Sequence, residues 1–135
     1  MNRNNHYPFI NTPLPYSYDA LEPFIDEKTM CLHHDRHLQT YIDNLNRFLE
    51  ENPSLQKFSL EELLSMWRRL PCHLQAPLRN NAGGVYNHRF YFNSMKGPDI
   101  PCAAPNLFEA MTVQFGSQEN FRAQFKEAAL SVFGS

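Results

Sequence analysis

From Asp26 to Asn52 the chain reads DEKTMCLHHDRHLQTYIDNLNRFLEEN, with no glycine or proline until Pro53. A run of this length can hardly be anything but a long helix. Asp26 supplies an N-cap oxygen, and Glu27 places negative charge in the first turn, where the helix dipole favours it. Met30, His34, Leu38, Tyr41, Leu45 and Phe48 recur at steps of three and four, which gives one face suited to burial. Beside it, His33, His37 and Tyr41 follow at four-residue intervals. Three hydrogen-bonding or metal-ligating groups are thereby stacked about one turn apart.

The remaining chain is also read as helical. Pro8, Pro13 and Pro15 keep the first fifteen residues extended, and Pro23 separates YSYDALEPFID from the long helix. Ser59-Leu60-Glu61-Glu62 is a capping box that opens a short helix, LEELLSMWRRL, ending at Pro71. A second long helix is predicted from near Pro77 to Gly97. Gly83 and Gly84 inside it cost roughly 1 kcal/mol each relative to Ala. They mark either a helix break or a continuous helix with room for a close neighbour, and Val85, Phe92 and Met95 resuming in phase favour continuity. A proline-marked linker, PDIPCAAP, then leads to a helix through NLFEAMTVQF, a stop at Gly116, and a last helix capped by Ser117. That helix carries Phe121, Phe125, Ala128, Ala129, Val132 and Phe133 on one side. No alternating β-branched pattern occurs, so the fold class is all-α.

Composition narrows the function. A hydrophobic content of 42% with 19% charged residues fits a globular domain. A net charge of −2 speaks against a nucleic-acid binder, which would carry a clustered basic face. The apolar runs are too short to cross a bilayer, and the polar, proline-rich start lacks a signal-peptide core, so no membrane partner and a cytoplasmic location are expected. Cys31, Cys72 and Cys102 show no C-x-x-C spacing and read as reduced structural thiols.

Histidine is the residue type that points to chemistry. His33 and His37 have the i, i+4 spacing of a helical metal pair, but His34-Asp35-Arg36 lies between them, and the glutamate of a zinc protease is absent. His88 sits on the second long helix. If the two helices pair antiparallel, His88 meets one of the first-helix histidines, which is how bundles build metal sites. Spacing leaves open which one, and two imidazoles alone would be an incomplete site.

The segments LPYSYDALEPFID, HHDRHLQTY, LRNNAGGVYNH and FGSQENFRAQF, in that order, resemble the iron/manganese superoxide dismutase family from about Pro13 to Ser135. The resemblance implies a long antiparallel helical hairpin over residues 1–97. It also implies two helices, over 98–135, that begin a C-terminal α/β domain. By the same match His33 and His88 are ligands to one Mn or Fe ion. His37 and Tyr41 line the substrate channel and relay protons to superoxide anion. The complete protein would be a homo-oligomer. Gly84 stands where iron-type relatives carry Gln, which favours manganese, although Val85-Tyr86 is more iron-like. Arg36 and Arg79 are candidates for drawing the anion in.

The sequence departs from the family pattern in several places. Leu38 stands where many relatives repeat a His, and Phe92 where a Trp is common. The family's third and fourth ligands, an Asp and a His in a D-x-W-E-H-type motif, are not found here, and the chain reads as truncated. Two expectations follow. One is a portion of a dismutase that lacks its C-terminal ligands. The other is a non-catalytic helical module that associates with proteins through exposed apolar faces.

Overall fold

The structure, a computed structural model, describes residues 4–97 and 104–132. Every regular element among them is helical. Helix α1 is continuous over residues 27–51 and changes winding twice. Glu27–Cys31 is α-helical, Leu32–Leu38 is a π-helix, and Gln39–Glu51 is α-helical again. Asp26 caps it as the sequence predicts, its carboxylate accepting from the Thr29 backbone N–H at 2.9 Å and the Thr29 hydroxyl at 2.7 Å. A 3₁₀ turn at Pro53–Leu55 reverses the chain.

Helix α2, Leu60–Met66, opens with the full capping box. The Ser59 hydroxyl accepts from Glu62 N–H, and the Glu62 carboxylate accepts from Ser59 N–H at 2.8 Å. A 3₁₀ turn, Trp67–Arg69, follows. Helix α3 is Cys72–Asn93, starting five residues before the expected Pro77 and stopping short of Gly97. Pro71, in extended conformation at the N-cap, is the true start signal. Pro77 lies a turn and a half inside, where its missing N–H deprives the helix of one bond near its end and does not break it. The helix runs on through Gly83 and Gly84, as the phase of the apolar residues indicates.

Helices α1 and α3 are antiparallel neighbours. Moving up α1 from His33 through His37 to Tyr41, the contacts on α3 move down from Phe92 through His88 to Gly84. Met30, Leu38, Ile42, Leu45 and Leu49 of α1 pack with Leu78, Ala82, Val85 and Phe92 of α3, and Leu60 and Leu63 of α2 join them. Each large apolar side chain fully buried in this way contributes about 1.5–3 kcal/mol. The N-terminal segment closes the cluster with Phe9 and Leu21. Asn46 holds Phe9 by both backbone groups, its Oδ1 accepting from the N–H at 2.9 Å and its Nδ2 donating to the carbonyl at 2.8 Å. Arg89 donates to the Asn4 carbonyl at 2.7 Å and the Ile10 carbonyl at 3.0 Å, and Tyr16 donates to the Phe92 carbonyl at 2.8 Å.

The chain divides into two compact units, residues 1–100 and 101–135. In the second, helix α4 is Pro105–Phe115 and helix α5 is Gln118–Ser131. Gly116 joins them at φ 81°, a left-handed conformation that glycine adopts without steric cost, and the Ser117 hydroxyl caps α5 by accepting from Asn120 N–H. Phe121 sits between Phe115 and Phe125, with ring centroids 5.1 and 5.7 Å away. Leu107, Val113, Phe125, Leu130 and Val132 are exposed in this unit. Part of the linker, Cys102 and Phe133 lie outside the described residues.

Candidate metal centre

The π segment of α1 carries both His33 and His37, and Tyr41 follows in the first α-helical turn beyond it. From α3, His88 projects into the middle of this column. Its ring centroid is 4.9 Å from that of His33, 4.8 Å from His37 and 5.2 Å from Tyr41. Phe92 closes the inner side, 5.1 Å from His33. One ligand nitrogen from each of His33, His37 and His88 lies within 4.8 Å of the others. All four residues singled out from the sequence thus meet in one place. The histidine partner of His88, left open by spacing, is both His33 and His37.

Hydrogen bonding fixes the proton on His88. Its Nδ1 is 2.7 Å from the Gly84 carbonyl, which can only accept, so Nδ1 carries the hydrogen and Nε2 keeps its lone pair. That lone pair accepts from Nδ1–H of His37 at 3.0 Å. Burial holds the pKa of His88 below its ordinary value, against the pull of the Gly84 bond. Burial also lowers that of His33, reinforced by the neighbouring His88, His37 and His34. Neutral imidazoles with lone pairs available are what a cation requires.

Gly84 is what allows Tyr41 to stand beside His88. A Cβ at Gly84 would lie 2.3–2.7 Å from three atoms of the Tyr41 ring. Gly83 has open space around it, so only one glycine of the pair serves the site.

A second network supports the π segment from behind. His34 is buried, its Nε2 donating to the Thr12 carbonyl at 3.0 Å and its Nδ1 paired with Asp35 at 2.7 Å. Tyr18 donates to the same Asp35 oxygen at 2.6 Å. That bond pushes the Tyr18 pKa up to about 12 and, with His34, holds the Asp35 carboxyl below its ordinary range. Asn11 Nδ2 donates to the His34 carbonyl at 3.0 Å. Nothing in the sequence spacing marks Tyr18 or Asn11 as partners of this turn, since sixteen or more residues separate them from it by chain order and fold alone joins them. Of the two candidate steering cations, Arg79 is engaged by the Asn80 side chain at 3.0 Å and by the Trp67 ring.

The donor set can be tested against the metal expected from the resemblance. His33 and His88 fit as imidazole ligands, with the Gly84 carbonyl orienting His88 from behind. Among the described residues no carboxylate joins the cluster. The oxygen ligands that suit manganese are therefore not supplied by these residues.

Residues 8–96 match the alpha-hairpin domain of iron/manganese superoxide dismutases. The chain is 44% identical over 123 residues to superoxide dismutase [Mn] of Escherichia coli (strain K12), covering 90% of this chain and 58% of that protein. It is also 44% identical over 125 residues to superoxide dismutase [Mn] 3 of Leptolyngbya boryana, covering 91% of this chain and 52% of the relative. A hairpin of two long helices with histidines facing each other across it, and this match along it, define a metal-site domain of one kind. The chain belongs to the iron/manganese superoxide dismutase family. It spans little more than half the length of these relatives.

Proposed function

We propose that this chain forms the N-terminal part of a cytoplasmic, homo-oligomeric superoxide dismutase that converts two superoxide anions and two protons to oxygen and hydrogen peroxide. The observation that carries this reading is the convergence of His33 and His88 across the hairpin, with His37 and Tyr41 stacked beside them. Residues 98–135 begin the α/β domain from which the family takes its remaining ligands. Manganese is preferred to iron, in line with the manganese relatives and with glycine at position 84. When bound, the ion supplies the one-electron chemistry by alternating between trivalent and divalent states.

The chain's own groups bind and supply protons. His33, through either ring nitrogen, and His88 Nε2 would hold the ion, and the Gly84 carbonyl fixes the His88 ring in the orientation that exposes Nε2. Tyr41 keeps its phenol beside His88 and His37, where it can hydrogen-bond solvent and pass a proton toward reduced substrate. His37 is exposed and completes the path from water.

Metal content and superoxide consumption, measured on protein supplied with both manganese and iron, test this reading. His33→Ala and His88→Ala should abolish metal and activity together, while Tyr41→Phe should keep the metal and slow turnover. Full metal occupancy in His88→Ala would sink the assignment. A folded chain without metal or activity would favour the other reading, association through the exposed apolar side chains of α4 and α5.

A further inference from the structure

A cavity of about 440 Å³ opens between the N-terminal segment, the start of α2 and the later turns of α3, lined among others by Asn4, Asn5, Glu61, Tyr86, Arg89 and Phe90. It shares no residue with the histidine cluster. Its volume falls within the range of small-molecule sites, about 300–1,000 Å³. The N-terminal wall is held firmly. Asn4 Oδ1 accepts from the Ile10 N–H at 2.8 Å, and Asn4 Nδ2 donates to the Pro8 carbonyl at 2.9 Å. The Asn5 carbonyl accepts from the Leu60 N–H at 2.9 Å. Asn4 and Asn5 precede residue 8, where the match to the family's hairpin begins. This wall therefore lies outside the matched domain.

The charges of the cavity point to its ligand. Glu61 and Arg89 line it together, and neither has an ion pair among the described residues. Burial lowers the pKa of Arg89, and the Glu61 carboxylate is near enough to offset part of that effect. Both Nη2 hydrogens of Arg89 are used, on Asn4 Oδ1 and the Ile10 carbonyl, but Nη1 makes a single bond and Nε none. A partly buried guanidinium without a counter-charge is costly, and an incoming carboxylate relieves that cost. Glu61 is exposed and able to accept from an ammonium. Tyr86 and Phe90, one turn apart on α3, are 40% and 66% exposed and offer aromatic surface to an apolar body. A simple anion would be repelled by Glu61 and a simple cation by Arg89, whereas a ligand carrying both charges is attracted by both.

We propose that this cavity binds a free aromatic α-amino acid, with its ammonium at Glu61, its carboxylate at Arg89 and its ring against Tyr86 and Phe90. The proposal goes beyond the dismutase reading and does not depend on it.

Calorimetric titration of the 135-residue protein near neutral pH with L-phenylalanine, 2-phenylethylamine and 3-phenylpropanoate tests this. The second and third probes keep the ring and one charge each, and they stand for the amino and carboxyl ends of a peptide. Phenylalanine should bind one per chain, at least about tenfold more tightly than either of them. Glu61→Gln should weaken phenylalanine by about tenfold or more and leave 3-phenylpropanoate no weaker, with manganese and iron content unchanged. Phe90→Ala should weaken all three probes while far-ultraviolet circular dichroism stays the same. The proposal is overturned if either singly charged probe binds as tightly as phenylalanine, if Glu61→Gln binds phenylalanine undiminished, or if phenylalanine shows no saturation by about 10 mM.

Discussion

Gly84 on α3 stands so close to Tyr41 on α1 that a methyl group at residue 84 would lie 2.3 Å from Tyr41 Cδ1. The neighbouring Gly83 meets nothing within 4 Å. Two adjacent glycines in one helix therefore have opposite reasons to be there, and substitution separates them. Gly84→Ala should destabilise the protein by about 1–3 kcal/mol, as overpacking does, and push Tyr41 away from His88. Gly83→Ala should stabilise it by about 0.4–1 kcal/mol through helix propensity and a stiffer unfolded chain. Urea unfolding of both variants checks the pair, and equal signs would contradict the packing described.

The buried imidazoles give stability a predictable pH dependence in the metal-free chain. His33 and His88 titrate below the ordinary value of 6.5, chiefly because burial disfavours their charged forms. As pH falls through about 6.5 the unfolded chain takes up protons that the folded chain resists, so stability falls with pH there and is unaffected by these groups above it. Urea midpoints measured from about pH 8 to about pH 5 should decline on the acid side, and a His33→Gln/His88→Gln variant should show a shallower decline. Identical slopes for the two proteins would assign the effect elsewhere.

Tyr18 should ionise well above the ordinary tyrosine value of 10.0. Its hydroxyl donates to Asp35 at 2.6 Å, and its pKa is pushed up to about 12 by that bond. Asp35→Asn removes the charge that holds the phenol proton, so the high-pH tyrosine absorbance step should move to lower pH. The same change deprives the buried His34 of its charged partner, but Asp35 is itself half exposed, so the cost should not exceed about 1 kcal/mol. Tyr18→Phe should abolish the late step and leave the rest of the titration intact.

Asn46 offers a test of the N-terminal segment. Its amide gives one hydrogen bond to each backbone group of Phe9, and Phe9 is buried. Asn46→Asp keeps the acceptor and replaces the donor with a second oxygen facing the Phe9 carbonyl. A loss of about 1–3 kcal/mol is expected near neutral pH, with partial recovery once the carboxyl is protonated. Thermal unfolding at two pH values reads both parts.

The sequence made the all-α architecture legible because its signals are local: Asp26 and Ser59 as caps, Gly116 as a stop, and apolar steps of three and four. The same locality misplaced the start of α3. Pro77 looks like a beginning, yet Pro71 had already supplied the extended N-cap and left Pro77 to be tolerated inside. The histidine column was visible as spacing, but the π winding of Leu32–Leu38 was not, since three- and four-residue steps read the same in either winding over two turns. His37 as a direct neighbour of His88 follows only from the antiparallel pairing, which fixes register through contacts fifty-one residues apart in sequence. The Tyr18–Asp35–His34 network was illegible for the same reason.

Arg89 ties the hairpin to its own beginning, because its guanidinium donates to the carbonyls of Asn4 and Ile10, eighty-five and seventy-nine residues earlier. The Asn4 and Ile10 carbonyls therefore gain this partner only once α3 is in place, whereas Phe9 between them already has one on α1 in Asn46. Closing so long a loop is slow to reward, because its entropy is spent before the contact forms. Protease trimming of residues near Asn4 during refolding would report when α3 is complete, in effect a clock built into the first ten residues.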